Sequence, residues 1–281
     1  MAQGNVLFGQ RTARIVIYFF LILFSLMALF PLYFSFINGF KTSAEYVTNQ
    51  LGFPQEWTDV NWRYILTEVG LPRYLGNNAI LIPLGLVLYL LVCCAAGFAF
   101  GLLRFRGKLV IFTAVLFLMI FPQMIIAVPV YTMSVRLGLL NTYLGVILVW
   151  VAYFAPFGTY IMTTYYSSIP RSILESARID GANVFHILLR LMIPIALPML
   201  ATITIIGFQA MWNELPFSML LLQQPRMRTL TLGIALMRGE HGLPVPRTAA
   251  ALAFASIVPL MMFLFLQRHI AGGAVAGSMK Y

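Results

Sequence analysis

The sequence predicts an all-α membrane protein with six transmembrane helices. Three observations carry that prediction. Of the 281 residues, 61% are hydrophobic and 9% are charged, where a soluble domain carries about 25% charged residues. A water-soluble fold of this size cannot hide so much apolar surface, so lipid must cover it. The apolar residues also fall into six runs, each long enough for the roughly 20 residues of a bilayer crossing. Finally, no Asp, Glu, Lys, Arg or His stands inside any of those runs. The whole of 1–281 is expected to be a single transmembrane domain, with no room for a soluble domain of ordinary size.

The first run is 15–40, behind Arg11 and Arg14. It is too long for the apolar part of a signal peptide and lacks a small-residue cleavage site, so it reads as an uncleaved span. A polar stretch, 41–73, follows, with Pro54, Trp57, Trp62 and the acids Glu45, Glu56, Asp59 and Glu68. The second span is 74–103, containing Pro83, and ends at Arg104, Arg106 and Lys108. Adjacent Cys93 and Cys94 within it point in different directions on a helix and cannot easily pair, so both read as small packing residues. The third span is 109–135, with Pro122 and Pro129; the fourth is 144–166. A charged segment, 170–190, comes next, then the fifth span, 191–212. A long loop with Arg226, Arg228, Arg238 and Arg247 leads to the sixth span, 248–267, and a tail, 268–281. Gly272, Gly273 and Gly277 argue against the sixth helix running far into that tail.

Six spans put both termini on one side. The tight cluster of Arg104, Arg106 and Lys108 in a short link marks that side as cytoplasmic. It then holds Arg11, Arg14, Arg104, Arg106, Lys108, Arg171, Arg178, Arg190, Arg268 and Lys280, against eight of the 18 basic residues outside. The net charge of +10 is explained by contact with anionic headgroups, and nucleic acid is not an expected partner. The lack of ionisable groups at membrane depth argues against a proton-coupled carrier. The uncharged polar residues Asn77, Asn78, Gln123 and Gln209 are candidates for a path taken by a neutral polar solute. Hydrogen bonding between helices is the competing role for them and for Asn38. Gly107-Lys108 is followed by Leu109, not Ser or Thr, so no phosphate-cradling loop is present. The chain is expected to be no enzyme and to hold neither cofactor nor metal. Any uphill transport must draw its energy from another subunit.

Residues 175–194 read ESARIDGANVFHILLRLMIP. Ser168 can cap a helix and Pro170 suits its first turn. From Arg171 to Asp180 the pattern is helical, with Ile173, Leu174 and Ala177 forming an apolar stripe. Glu175 and Arg178 are spaced to pair on one face. Gly181 fits the left-handed position that ends a helix, and a second helix then runs through Phe185 into the fifth span. An amphipathic helix lying in the interface, closed by a glycine, accounts for each of these features singly.

The spacing as a whole resembles a known family. Glu175, Ala177, Asp180-Gly181-Ala182 and Pro194 match the cytoplasmic loop of the inner-membrane permease subunits of ABC importers. Ser176 departs from the family's alanine, but it is small enough to keep close packing. PLYFSFINGFKTSAE, LGLLNTYLG, MWNELPFSMLLL, RTLTLGIAL and LQRHIAGGAVAGSMK resemble the carbohydrate branch, the maltose- and glycerol-phosphate-type permeases. The resemblance implies a cytoplasmic coupling helix between spans four and five. Glu175, Ser176, Ala177, Arg178, Asp180, Gly181 and Ala182 would enter a cleft on a separate ATP-binding subunit. It further implies a pair of those subunits, a second, non-identical permease, an extracytoplasmic solute-binding protein and a bacterial or archaeal inner membrane. The tail, through Gly277 and Lys280, is expected to make a further ATPase contact. Trp150, Tyr153, Phe154, Phe157 and Tyr160 offer rings for a sugar, with packing as the competing role. A secondary carrier or channel for a small polar solute is the alternative. It calls for coupling-ion residues or half-helix pairs, which the sequence does not display. A purely structural membrane protein would leave the charged loop without a purpose.

Overall fold

The computed structural model describes residues 2–241 and 244–278, and among them there is no strand. The helices are α1 (Ala2–Gly39), α2 (Ser43–Thr48), α3 (Val60–Thr67), α4 (Leu71–Leu102), α5 (Lys108–Phe117), α6 (Gln123–Arg136) and α7 (Tyr143–Ser167). They continue with α8 (Arg171–Ile179), α9 (Val184–His186), α10 (Ile193–Ile195), α11 (Leu197–Trp212), α12 (Pro216–Leu221), α13 (Leu230–His241) and α14 (Val245–Ser278). A 3-10 turn, Leu118–Ile120, extends α5, and a π-helical turn, Ile187–Met192, joins α9 to α10.

Four stretches are straight, long and apolar enough to cross a membrane: Arg14–Gly39, Leu71–Leu102, Tyr143–Ser167 and Val245–Phe265. They agree with the first, second, fourth and sixth expected runs to within a few residues. The third and fifth runs differ from expectation. Lys108–Ile120 meets Gln123–Arg136 at 105°, and Val184–Ile195 meets Leu197–Trp212 at 80°. With each bent pair taken as one crossing the number of spans reaches six. Proline explains both breaks. Phe121, ahead of Pro122, is forced into extended backbone at φ −80°, ψ 116°. Pro198 lacks an N–H and its ring crowds the carbonyl of Pro194, four residues earlier; the chain breaks between them at Ala196.

Two connecting stretches carry helices of their own, and one expectation is corrected. The long loop after the fifth run contains α12, a 3-10 turn at Pro225–Met227 and α13. The polar stretch 41–73 contains α2 and α3. The sixth helix does not stop near Gln267: α14 carries through Gly272, Gly273 and Gly277 to Ser278. Lys280 lies outside the described residues.

The chain divides into two compact units. The first comprises Met1–Leu71 and Leu236–Ile257. In it Phe40 packs at a tilt against Trp57 and Trp62 at ring distances of 5.3 and 5.2 Å, and the Arg247 guanidinium lies 3.8 Å over the Tyr64 ring. Lys41 is fully buried, its Nζ donating to the Asn49 carbonyl at 2.6 Å. Burial pushes its pKa down, while nearby Glu45 pulls it back up. The most apolar stretch of α1 buries no residue inside the chain, while Ile37 and Asn38 at its end are buried.

The second unit comprises Pro72–Ala235 and Val258–Tyr281. Its mast is α7, whose inner face, including Trp150, Val151, Ala155 and Met162, is buried. Gly97 and Gly101, one turn apart in α4, let the backbones of α4 and α7 approach closely; a Cβ on Gly101 would sit 2.8 Å from the Tyr166 Cβ. Both cysteines are buried and unpaired there, as expected of packing residues. α7 also serves the two broken runs. Tyr153 Oη donates to the Phe121 carbonyl at 3.4 Å, and Tyr165 Oη to the Ile195 carbonyl at 2.9 Å. Each break frees carbonyls that lipid cannot satisfy, so a hydroxyl from a neighbouring helix is needed.

Candidate functional site

The charged segment folds as a helix, a tight turn and a second helix. α8 starts after Pro170, which is extended at φ −56°, ψ 132°, and has no side-chain cap. Ser168, expected to cap α8, instead donates back to the Tyr165 carbonyl at 2.8 Å and closes the end of α7. The far end of α8 follows the expectation closely. Gly181 sits at φ +79°, its N–H bonds the Arg178 carbonyl, and the Ala182 N–H reaches the Ala177 carbonyl, both at 3.0 Å. This pair of bonds is the Schellman closure, which requires the left-handed residue. A β-branched side chain at Gly181 costs about 1–3 kcal/mol. The next helix is capped by Asn183, whose Oδ1 accepts from the His186 N–H at 2.8 Å. The sequence reading had not assigned that cap.

Glu175, Ser176, Arg178, Asp180 and Gly181 are exposed, and Ala177 and Ala182 half-buried. Leu174 and Ile187 anchor the segment, at 6% and 2% exposure. Apolar side chains stand out beside the charges: Ile179 is 85% exposed and Phe185 75%. The expected Glu175–Arg178 pair is not made; among the described residues Glu175 forms no ion pair. An exposed pair of that kind is worth too little to hold two long side chains in place. The segment is therefore a rigid protrusion with small residues at its turn, unpaired charges and an uncovered apolar fringe. Such a surface suits a protein partner.

The solute-path candidates are not brought together as a lining. Asn77 Nδ2 donates to the carbonyls of Arg226 and Arg228 at 3.0 and 2.8 Å, and its Oδ1 accepts from Tyr143 Oη at 2.7 Å. Asn78 Oδ1 accepts from the Leu230 N–H at 3.1 Å. These two side chains tie α4 to the backbone entering α13. Gln209 is exposed on α11 and accepts from Asn213 Nδ2 at 3.0 Å. Gln123 is half-buried at the start of α6. Of the aromatic residues, Trp150 is fully buried and Tyr153 is held at the Phe121 break, whereas Phe157 and Tyr160 stay exposed on α7 at 41% and 45%.

One residue escaped the sequence reading. Glu214, just past the fifth run, is 4% exposed. Its carboxylate accepts from Trp150 Nε1 at 2.8 Å, the Phe217 N–H at 2.7 Å, the Ser218 N–H at 3.0 Å and Ser218 Oγ at 2.7 Å. It caps α12 and ties it to α7. The local signal was a carboxylate two residues ahead of a proline that opens a helix. Asn141 completes the fastening of this region: at φ +55°, its N–H donates to the Leu221 carbonyl and its Oδ1 accepts from the Gln224 N–H.

Comparison with known proteins places this architecture. Residues 94–273 match the family described as binding-protein-dependent transport system inner membrane component. The trehalose/maltose transport system permease protein MalG of Thermococcus litoralis is 30% identical over 270 residues, covering 95% of this chain and 97% of that one. A putative ABC transporter permease, ORF2 of a Caldicellulosiruptor species, is 29% identical, covering 94% and 96%. The diacetylchitobiose uptake system permease NgcG of Streptomyces coelicolor is 27% identical, covering 92% and 87%. The fold is shared with a chain in the crystal structure of a bacterial ABC transporter that imports the acidic polysaccharide alginate, at a TM-score of 0.78 and 24% identity, over 92% of this chain and 96% of that one. The sequence reading found no half-helices, and the two broken runs overturn that point; the whole-length kinship nonetheless decides between the readings, and the chain belongs to the inner-membrane permease components of binding-protein-dependent ABC importers.

Proposed function

We propose that this chain forms half of the translocation path of an ATP-driven importer for a sugar or sugar-like solute. An external binding protein delivers the solute, a second, non-identical permease completes the path, and a pair of separate ATP-binding subunits supplies the energy. The relatives named for trehalose/maltose and diacetylchitobiose support a saccharide. Six crossings with both termini in the cytoplasm are part of this reading. The observation that carries it is the protrusion at 171–185: small residues at a closed turn, unpaired charges and exposed Ile179 and Phe185. A soluble subunit can seat on such a surface and move it as one body. The π-helical turn and the bent fifth run follow immediately, so displacement of α8 passes directly into the membrane segment.

Glu175→Lys is expected to abolish solute-stimulated ATP hydrolysis and loosen the ATP-binding subunits, because reversing a charge in a docking cleft costs about 2–5 kcal/mol. Co-purification and hydrolysis assays in proteoliposomes read the effect; wild-type values for both would remove α8 from the interface. The broken runs taken alone also suit a secondary carrier. That reading requires solute uptake driven by an ion gradient without ATP, which the same vesicles test. The tail serves as a second contact beside α8. A chain lacking residues 272–281 is expected to insert normally but transport less at equal membrane abundance, and full transport by it would make the tail dispensable.

A further inference from the structure

Residues 103–107, between α4 and α5, form a fixed turn. Gly107 ends it at φ +79°. Lys108 Nζ donates back to the Leu103 carbonyl at 3.1 Å, and the Phe105 ring lies 6.1 Å from that of Phe100. Phe105 is nevertheless 41% exposed, with Arg104 and Arg106 exposed on either side. This turn and α8 are the two walls of a cavity of about 340 Å³. Arg104 and Phe105 line it from the turn, and Arg171, Leu174, Glu175 and Arg178 from α8; Arg106 is not part of the lining. The α8 side chains stand on one face, since residues three and four apart are neighbours on a helix. Three guanidinium groups thus meet over one carboxylate, and among the described residues none of these groups makes an ion pair.

We propose that this turn is a second docking element for the ATP-binding subunit, and that the cavity between it and α8 takes up an acidic side chain of that subunit. The inference rests on the docking role proposed for α8. Half of the lining belongs to α8, so whatever seats on α8 also covers the cavity. Covering it strips water from three cations that one anion cannot balance. Buried charge without a partner is strongly destabilising, so a subunit seated here must bring negative charge of its own. Guanidinium forks match a carboxylate in paired hydrogen bonds. The volume is at the lower end for a small-ligand site, which admits a side chain and excludes a helix. Phe105 and Leu174 supply apolar surface beside the charges, which keeps water from a pair once it forms. The turn closes the end of α4, which packs closely on α7 at Gly97 and Gly101. The ATP-binding subunit thus grips the second span as well as the fifth.

The test uses the full-length permease pair in phosphatidylcholine nanodiscs, titrated with the purified ATP-binding subunit. Arg104→Glu is expected to weaken association roughly tenfold or more, because it sets a like charge against the incoming carboxylate. Arg104→Gln should fall between it and wild type. Arg106→Glu makes the same change of net charge outside the cavity and should bind like wild type. Arg104 and Arg106 are exposed, so all three variants should keep the wild-type melting temperature. Wild-type affinity in Arg104→Glu, or an equal loss in Arg106→Glu, overturns the cavity as a docking site. A loss that appears only in nanodiscs containing phosphatidylglycerol assigns Arg104 to lipid and overturns it as well. Glu175→Lys is titrated alongside. If it weakens association and Arg104→Glu does not, α8 still docks and only the turn is removed; if neither does, the docking reading itself falls.

Discussion

Glu214→Ala is expected to lower the melting temperature of the purified protein by roughly 10 °C. Four hydrogen bonds end on this one buried side chain. Truncation leaves the Trp150 indole N–H and the backbone N–H groups of Phe217 and Ser218 without an acceptor in an interior where water cannot replace it. Each unsatisfied buried donor costs about 1–3 kcal/mol, and partial relaxation brings the total to about 3–5 kcal/mol. Glu214→Gln should fall between, because its amide offers one acceptor oxygen and turns an NH2 toward donors. Thermal melting in detergent, with loss of the tryptophan signal from Trp150 as a local probe, reads the effect. A melting temperature unchanged in the alanine variant would contradict the assignment of Glu214 as the fastening of α12 to α7.

Gly97→Leu is expected to prevent accumulation of folded protein. A Cβ added at Gly97 runs into the Met162 side chain and lies 3.1 Å from the Met162 carbonyl carbon and 3.2 Å from the Thr163 nitrogen. Backbone atoms cannot swing aside as a flexible side chain can, so α4 and α7 must separate along their length. Overpacking costs about 1–3 kcal/mol for one methyl group, which is the expectation for Gly97→Ala, and more for leucine. Gly76, on the same helix, has open space at its Cβ, so Gly76→Ala serves as the control and should accumulate normally. Equal membrane abundance and melting temperature for all three variants would mean that the helices do not touch at Gly97.

The four straight spans were legible because a run of about 20 apolar residues has few other destinations. The two bends were not. Prolines stand in both, but Pro31, Pro83, Pro156 and Pro259 lie inside helices that stay continuous. Whether a proline breaks its helix depends on what can donate to the freed carbonyls, and the donors here, Tyr153 and Tyr165, come from another part of the chain. The turn at Gly181 was legible because only glycine takes φ +79° without strain. The Glu175–Arg178 pair was overvalued, since spacing permits contact without making it favourable. Asn77 and Asn78, candidates for a solute path, make the hydrogen bonds of the competing structural role. Their backbone partners stand about 150 positions away, and Tyr143, which also bonds Asn77, stands 66 away; no local pattern discloses either. Glu214 follows the last apolar position of the fifth run by two, so apolar patterning gives no sign of its burial.

The bent third run bears on how the chain is made. Its arm after the bend, Gln123–Arg136, has 14 residues and extends about 21 Å, short of a hydrocarbon core of about 30 Å; the arm before it is of similar length. Neither arm crosses the bilayer unaided. The hydroxyl that meets the Phe121 carbonyl belongs to Tyr153, which the ribosome adds only after both arms are complete, since synthesis runs from the N-terminus. The fifth run is the reverse case: Tyr165 is already in place when Ile195 emerges. The translocation machinery must therefore shelter the first of these segments until α7 arrives, and can release the second against a helix already standing in the membrane.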